Sequence, residues 1–352
     1  MSLQATLLQN IRSNYERNLD KYEDRLSEYG ALVTFQNDTV DPESIVRGDV
    51  LEKASQSIGN TLQIPVIDGG DITISNVRSC VIPDFENTSG LVTVTFATYT
   101  AGFSMVPGQY DNNDIGYQAD LERKILKLGK SYAQVLDTAS ITKLDADKTA
   151  IMNSSLVGVG TIYGALVGDA IQVSAALTPD FYNDLSTIMN EDDFEGNYNV
   201  IGSQGVRRIV NKYSNQGTSN DVNREFQFGP YSYAYSNRVT VAASANAAQY
   251  VMPKGSLATL VRNTPDAIAG RVVNEGEFFD IFEMPYANIP VGLHYKKACA
   301  DNSGVAGGSQ DYLAGSVKES WGFDVDVAFI TAYNNDPATK AGVIHKADFL
   351  NA

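Results

Sequence analysis

The chain has 352 residues, 43% of them hydrophobic, and a formal net charge of −16. That is apolar material for a sizeable core and one to three domains. It lacks the clustered basic groups that displace counterions from phosphates, so high-affinity binding to exposed nucleic acid is excluded. Cys80 and Cys299 are the only cysteines and make no disulfide framework; two buried thiols are expected. No run approaches the roughly 18 apolar residues of a membrane span, and Met1-Ser2-Leu3-Gln4 opens no signal peptide.

In chain order, Leu3, Leu7, Ile11, Tyr15, Leu19, Tyr22, Leu26 and Tyr29 recur at fours and threes. This predicts an amphipathic helix stopped at Gly30. Its other face carries Glu16, Arg17, Asp20, Lys21, Asp24, Arg25 and Glu28. Such a helix can dock on its own core or on a neighbouring subunit. Residues 37–60 are polar, hold the turn signal Asp41-Pro42, and read as a linker or arm.

Residues 61–110 read as β structure. Leu62, Ile64 and Val66 alternate, Asp68-Gly69-Gly70-Asp71 is a turn, and Ile72 and Ile74 start a strand towards Ile82. Residues 83–90 are a loop, after which Val92, Val94 and Phe96 alternate with Thr93, Thr95 and Ala97. Two strands around that loop predict a long hairpin. A lone hairpin is marginal in water, so it must lie on something else.

From about Asn113 to Leu144, residues Leu121, Ile125, Leu128, Tyr132, Val135 and Ala139 predict one long helix, capped by Asn113 or Asp114. About 30 residues at 1.5 Å each make a rod of roughly 45 Å. Ordinary helices run about 11–12 residues, so a rod this long points to an architectural part. A Gly-rich stretch follows from Leu156 to Val173. Thr178-Pro179 opens a further helix with Thr as cap, and Phe181, Leu185 and Ile188 share its face. Val200-Ile201-Gly202-Ser203 is a strand entering a helix over 206–213. Phe226, Phe228, Tyr231, Tyr233 and Tyr235 alternate, and 257–262, 278–282 and 323–330 are further strands. Helices and strands mix without regular alternation, which makes the class α+β.

Chemistry-bearing patterns are sparse. His294 and His345 are the only histidines, far apart, and read as structural. Gly158-Val159-Gly160-Thr161-Ile162-Tyr163-Gly164 imitates a dinucleotide turn with one residue too many. Glu191-Asp192-Asp193 with Glu195 reads as a solvated loop, lacking calcium-loop spacing. Arg207-Arg208 and Lys296-Lys297 read as solvated faces, and Asp324 and Asp326 as one face of a strand. No catalytic, cofactor-binding or metal-ligating residue is assigned, and the chain is not read as an enzyme.

Taken in order, these segments resemble the major capsid protein of tailed bacteriophages, the Hong Kong 97-like shell fold shared with encapsulins. The segments that carry the resemblance are 114–121 at the start of a spine helix and Thr178-Pro179-Asp180-Phe181-Tyr182-Asn183-Asp184-Leu185 with Val200-Ile201-Gly202-Ser203. Pro253-Lys254-Gly255-Ser256-Leu257 and Trp321-Gly322-Phe323-Asp324-Val325 continue it. It spans most of the chain; its strength lies in the order of weak motifs.

The resemblance implies an N-terminal arm (1–50), an extended β-hairpin loop (51–112) and a spine helix with peripheral domain (113–175). An axial domain (176–310) and return strands of the peripheral domain (311–352) complete it. It implies self-assembly into hexamers and pentamers of an icosahedral shell enclosing double-stranded DNA without sequence-specific binding. Portal, scaffolding or cement proteins are the implied partners. The place is the virion, after assembly in the host cytoplasm, with no membrane and no cofactor. About 50 residues precede the hairpin, so the scaffold is expected to be a separate protein or absent. An encapsulin-like cargo nanocompartment or another structural virion protein is the alternative. Arg78, Asp84 and Glu86, around the hairpin tip, are the candidate inter-subunit contacts.

Overall fold

The computed structural model describes residues 29–46, 48–57, 59–68, 88–110, 116–194, 196–216, 231–299, 317–333 and 340–351. The expected helix over 2–29, the strand over 72–82, Cys80, Phe226 and Phe228 lie outside them, as do Arg78, Asp84 and Glu86.

In chain order the elements are α1 (Gly30–Thr39), α2 (Gly48–Gln56), β1 (Thr61–Asp68), β2 (Thr88–Thr95), β3 (Ala97–Met105) and α3 (Tyr117–Asp147). Next come β4 (Ala170–Val173), α4 (Thr178–Glu191), β5 (Tyr198–Gly202), α5 (Gln204–Gln216), β6 (Tyr231–Tyr235), β7 (Ala245–Pro253) and β8 (Leu257–Arg262). Then follow α6 (Pro265–Ile268), β9 (Val272–Asn274), β10 (Glu277–Met284), β11 (Ile289–Cys299), β12 (Val317–Thr331) and β13 (His345–Leu350). The class is α+β.

Among the described residues the strands form three sheets. The first runs β3-β12-β11-β10-β9, with β8 also on β12; the second runs β4-β13-β7-β5-β6; β1 and β2 pair as a two-stranded ribbon. Strand β12, 15 residues long, organises the first sheet. Its early part pairs with both β11 and β3, and its end pairs with β8 where β11 has run out. Trp321, Phe323, Val325 and Val327 alternate along it into the core.

Helix α3 has 31 residues and lies against that sheet. Leu121, Ile125, Tyr132 and Leu136 pack with Phe282, Phe323 and Val325, and Tyr132 Oη donates to the Phe323 carbonyl at 2.8 Å. Each such large apolar side chain contributes about 1.5–3 kcal/mol on burial. Gly129 admits Pro285: an added Cβ would stand 2.5 Å from the Pro285 carbonyl oxygen.

Helix α1 sits where the two larger sheets meet. Ala31 and Phe35 pack with Ile141 and Leu144 of α3, Ile201 of β5 and Leu257 of β8. Asp38 accepts the Asn199 side-chain amide at 2.7 Å and the Leu257 N–H at 3.3 Å.

Several expectations need correction. Gly30 does not stop a helix; it opens α1, pressed so closely on the Tyr235 backbone that a Cβ would lie within 2.6 Å of it. Residues 37–60 contain α2 and the end of α1, so residues 29–46, placed in the arm, pack on the chain's own body. The ribbon pairs β1 with β2, Thr61 opposite Thr95 and Asp68 opposite Thr88, and not residues 72–82 with 92–97. Helix α3 starts after Gly116, beyond Asn113 and Asp114, with no side-chain cap. Thr178 is the first helical residue of α4, its hydroxyl bonded back to Ser174 O at 3.1 Å, and Leu177 holds the cap position. The sheets also divide the chain differently from the expected boundaries: 257–299 belong to the first sheet, and 345–350 to the second.

Candidate self-association surfaces

The ribbon grows from Thr, Val and Leu residues that suit a pleated, half-buried surface. Leu62, Ile64 and Val94 turn inward onto Val50, Leu51 and Ala54 of α2 and onto Ala258, Leu260 and Ala328. Thr61, Gln63, Thr93 and Thr95 face outward, and Leu91 is 63% exposed. Among the described residues neither strand pairs with a third, so both backbone edges are open. Eight paired residues at about 3.4 Å each give a ribbon of roughly 27 Å before its far connection.

One buried side chain fastens the ribbon's root. Arg262, at the end of β8, is 6% exposed. Its Nη1 donates to the Ser57 carbonyl at 2.9 Å, to Ser57 Oγ at 3.0 Å and to the Gly59 carbonyl. Its Nε and Nη2 reach Asp326 Oδ2 at 3.1 and 2.5 Å. The guanidinium lies 4.5 Å from the Phe96 ring centre. The joint before β1 and the joint after β2 are therefore held to β8 and β12 by one planar cation. Beside this root, an open groove of about 720 Å³ runs between β2, the second half of α3 and the end of β12.

Two further apolar surfaces are exposed. In the Gly-rich loop, Val159 is 93% and Ile162 54% exposed. At the sheet edge, Val272 and Val273 of β9 are 59% and 56% exposed. The loop is a closed turn: the Gly158 N–H donates to the Gly164 carbonyl at 2.8 Å, and Gly160 and Gly164 have φ of 85° and 68°. It leads into strand β4, not into a phosphate-facing helix.

The polar candidates serve packing. Glu191 accepts Ser154 Oγ, the Ser155 N–H and Ser155 Oγ at 2.5, 2.8 and 2.6 Å, and Asp192 accepts the Asn153 N–H at 2.7 Å. The expected solvated loop is thus a clasp on residues 153–155; Glu195 lies outside the described residues. His345 is 1% exposed, 3.2 Å from the Gly342 carbonyl and 3.5 Å from Asp192. Burial pulls its imidazole down to about 4, and burial pushes the Asp192 carboxyl up. His294 stacks on Phe279 with ring centres 4.3 Å apart and meets Glu277 at 2.9 Å.

Arg207, Arg208, Lys296 and Lys297 are exposed. Asp324 and Asp326 share one face of β12, opposite the buried Phe323 and Val325. Among the described residues no group of three or more His, Cys, Asp or Glu is placed to hold a metal ion, and no helix is long and apolar enough to cross a membrane.

No family model and no curated protein matches the chain. Its structure is similar to solved phage structures. One is from Mycobacterium phage Che8, at 9% identity and TM-score 0.48 over 86% of this chain and 88% of that one. The capsid asymmetric unit of cyanophage Pam1 gives 11% and 0.48 over the same shares. The capsid of cyanophage P-SCSP1u gives 9% and 0.46 over 85% and 86%.

Sequence reasoning missed the residues that join the body together. Asp137, fully buried on α3, accepts the Leu32 N–H at 3.1 Å and the Ser236 hydroxyl at 2.5 Å, with Arg238 at 3.6 Å. Burial raises its carboxyl pKa against those hydrogen bonds. Asp145 gathers Lys346, Tyr250 and Lys148 at 3.0, 2.8 and 3.2 Å. The only sequence signal was indirect: Asp137 falls between the apolar positions Leu136 and Ile141 of a long amphipathic helix.

Proposed function

We propose that the chain is the major capsid protein of a tailed bacteriophage, assembling as hexamers and pentamers into an icosahedral shell around double-stranded DNA. The ribbon is the observation that carries this reading. It is anchored at its root by Arg262, and both of its edges are open to strands of another chain. A lone hairpin needs a surface to lie on, and only its base has one within the described body. Helix α3 supplies a stiff element against the first sheet, and α1 ties the two sheets into one body. Many modest contacts of this kind, made in parallel, render dissociation rare.

The role is structural, without a catalytic step. A wall of net charge −16 per subunit does not adhere to the polymer it encloses. Portal, scaffolding or cement proteins complete the particle, in the virion, after assembly in the host cytoplasm. The ribbon tip, with Asp84 and Glu86, meets basic groups such as Arg78 of an adjacent copy. Unchanged shell yield after charge reversal at Asp84 and Glu86 would remove that contact.

Electron microscopy of the protein expressed alone, and then with its neighbouring genes, tests the function. Closed icosahedral particles are expected, holding DNA when the neighbouring genes are present. Tubes or small fixed oligomers would sink the reading, and a defined enzyme inside the particles would turn it to a cargo compartment.

A further inference from the structure

The outer face of α3 changes character along its length. Its first half presents Glu122, Arg123, Lys127 and Lys130 to solvent or the margin of solvent. Its second half presents an uncharged trough of about 650 Å³, lined by Gln134, Val135, Thr138, Ala139 and Thr142, with Arg238 on the rim. Val135 is 50% exposed there, a large apolar side chain on the face opposite the core. A helix face that needed only water would carry charge along its whole length, as the first half does.

The chain itself brings an occupant to this trough. Twenty-eight residues precede Tyr29, whose buried ring lies 5.1 Å beneath the Arg238 guanidinium that forms the rim. The segment therefore leaves the body at the trough's edge, its next Cα about 3.8 Å from that of Tyr29. Its sequence carries the complementary surface: Leu19, Tyr22 and Leu26 continue an apolar stripe, and Asp20, Asp24 and Glu28 face away from it. From Gln134 to Thr142 the trough spans about 12 Å of helix axis, room for about two turns of a docked helix. Arg238 and, one residue past the trough, Lys143 can meet that acidic face.

We propose that residues 1–28 dock in cis on the outer face of α3, with Leu19, Tyr22 and Leu26 filling the trough around Val135. The segment is then part of its own subunit's body and not an arm lent to a neighbour. This does not rest on the shell function, because its readout is made on single chains.

The test uses the full chain with Cys80→Ser and Cys299→Ser as background. In dilute protein, a maleimide should label Val135→Cys about tenfold more slowly in the full chain than after removal of residues 2–28, as for a segment docked about nine-tenths of the time. Leu19→Asp with Leu26→Asp, in the full chain, should give the same acceleration and guards against a truncation that fails to fold. Ser131→Cys, outside the trough, should label equally in all backgrounds. Leu19→Cys with Val135→Cys should cross-link within one chain, and Leu19→Cys with Lys127→Cys should not. Equal labelling of position 135 with and without an intact segment overturns the proposal. So does a cross-link that forms only between chains, which would put a neighbour's segment in the trough.

Discussion

Arg262 and Asp326 meet across the β8–β12 pairing, with Nη2 and Oδ2 2.5 Å apart and the remaining guanidinium donors turned to Ser57 and Gly59. The pair links the sheet that carries α3 to both joints of the ribbon. Arg262→Ala leaves the partly buried Asp326 and two backbone carbonyls without their donor. The expected loss is about 2–4 kcal/mol, measured by urea unfolding. Arg262→Lys keeps the charge without the fork and should recover less than half of it. The ribbon root should also become cleavable by protease near residues 57–61. A change within about 0.5 kcal/mol of wild type, the range of ordinary surface substitutions, would show that the ribbon is held by its apolar face alone.

Asp137 makes a second prediction. Its two oxygens hold the N-terminus of α1 and the turn after β6, 105 and 99 residues away in sequence. Replacement by Ala strands the Leu32 N–H and the Ser236 hydroxyl in a dry site, and Arg238 loses its nearby carboxylate. About 2–4 kcal/mol of stability should go. Asp137→Asn, which keeps one acceptor, should cost less than Ala. Equal costs for the two would mean that packing and not hydrogen bonding makes the site.

The same residue shows where sequence legibility ended. Apolar spacing placed the core face of α3 on Leu121, Ile125, Leu128, Tyr132, Val135 and Ala139. The buried face begins there but runs through Gly129, Ala133, Leu136, Asp137 and Ser140 to Leu144. Asp137 and Ser140 look like surface residues until their distant partners are known. Val135 and Ala139 look like core until the trough is seen. Strand β7 was missed because six consecutive buried residues, in the middle of a sheet covered on both faces, erase the alternation that marks a strand. β13 was missed because His345, Lys346 and Asp348 are buried with Asp145 and Asp192 as neighbours, so its sequence reads as polar. The strands 257–262 and 323–330 were legible because one face of each is regularly apolar. The ribbon existed as expected, but its register depended on a partner strand that alternation alone does not choose.

Acid should act through Asp145. Burial alone would raise its carboxyl pKa, but hydrogen bonds from Lys346, Tyr250 and Lys148 outweigh it and hold it at about 2. Between the ordinary aspartate value of 3.8 and about 2, the unfolded chain binds a proton that the folded chain does not. This contribution is therefore fully present above about pH 4 and lost as pH falls through that window. The stability difference between wild type and Asp145→Asn should be greatest near neutrality and shrink steadily below about pH 4. A difference independent of pH from 7 to 3, flagged here as about that range, would show that the charged form has no special hold on Lys346.

Assembly should respond to salt in the opposite sense from a contact built on surface ion pairs. Two effects compete when subunits of charge −16 approach. Exposed ion pairs between copies favour low salt, but each is worth only about 0–1 kcal/mol. Repulsion between whole subunits acts over the screening length, about 30 Å at 0.01 M salt and about 10 Å at 0.1 M. At the lower salt each subunit therefore feels most of its neighbours' charge, and at the higher salt only the charge near the contact. Repulsion is summed over many pairs of groups and the favourable pairs over few, so repulsion decides. Light scattering from purified subunits should rise faster as monovalent salt is increased over that range, and faster still with a divalent cation at equal ionic strength. Assembly that is equal or faster at the lowest salt would mean that cross-subunit ion pairs, and not the apolar faces of the ribbon and the exposed loops, hold neighbouring copies together.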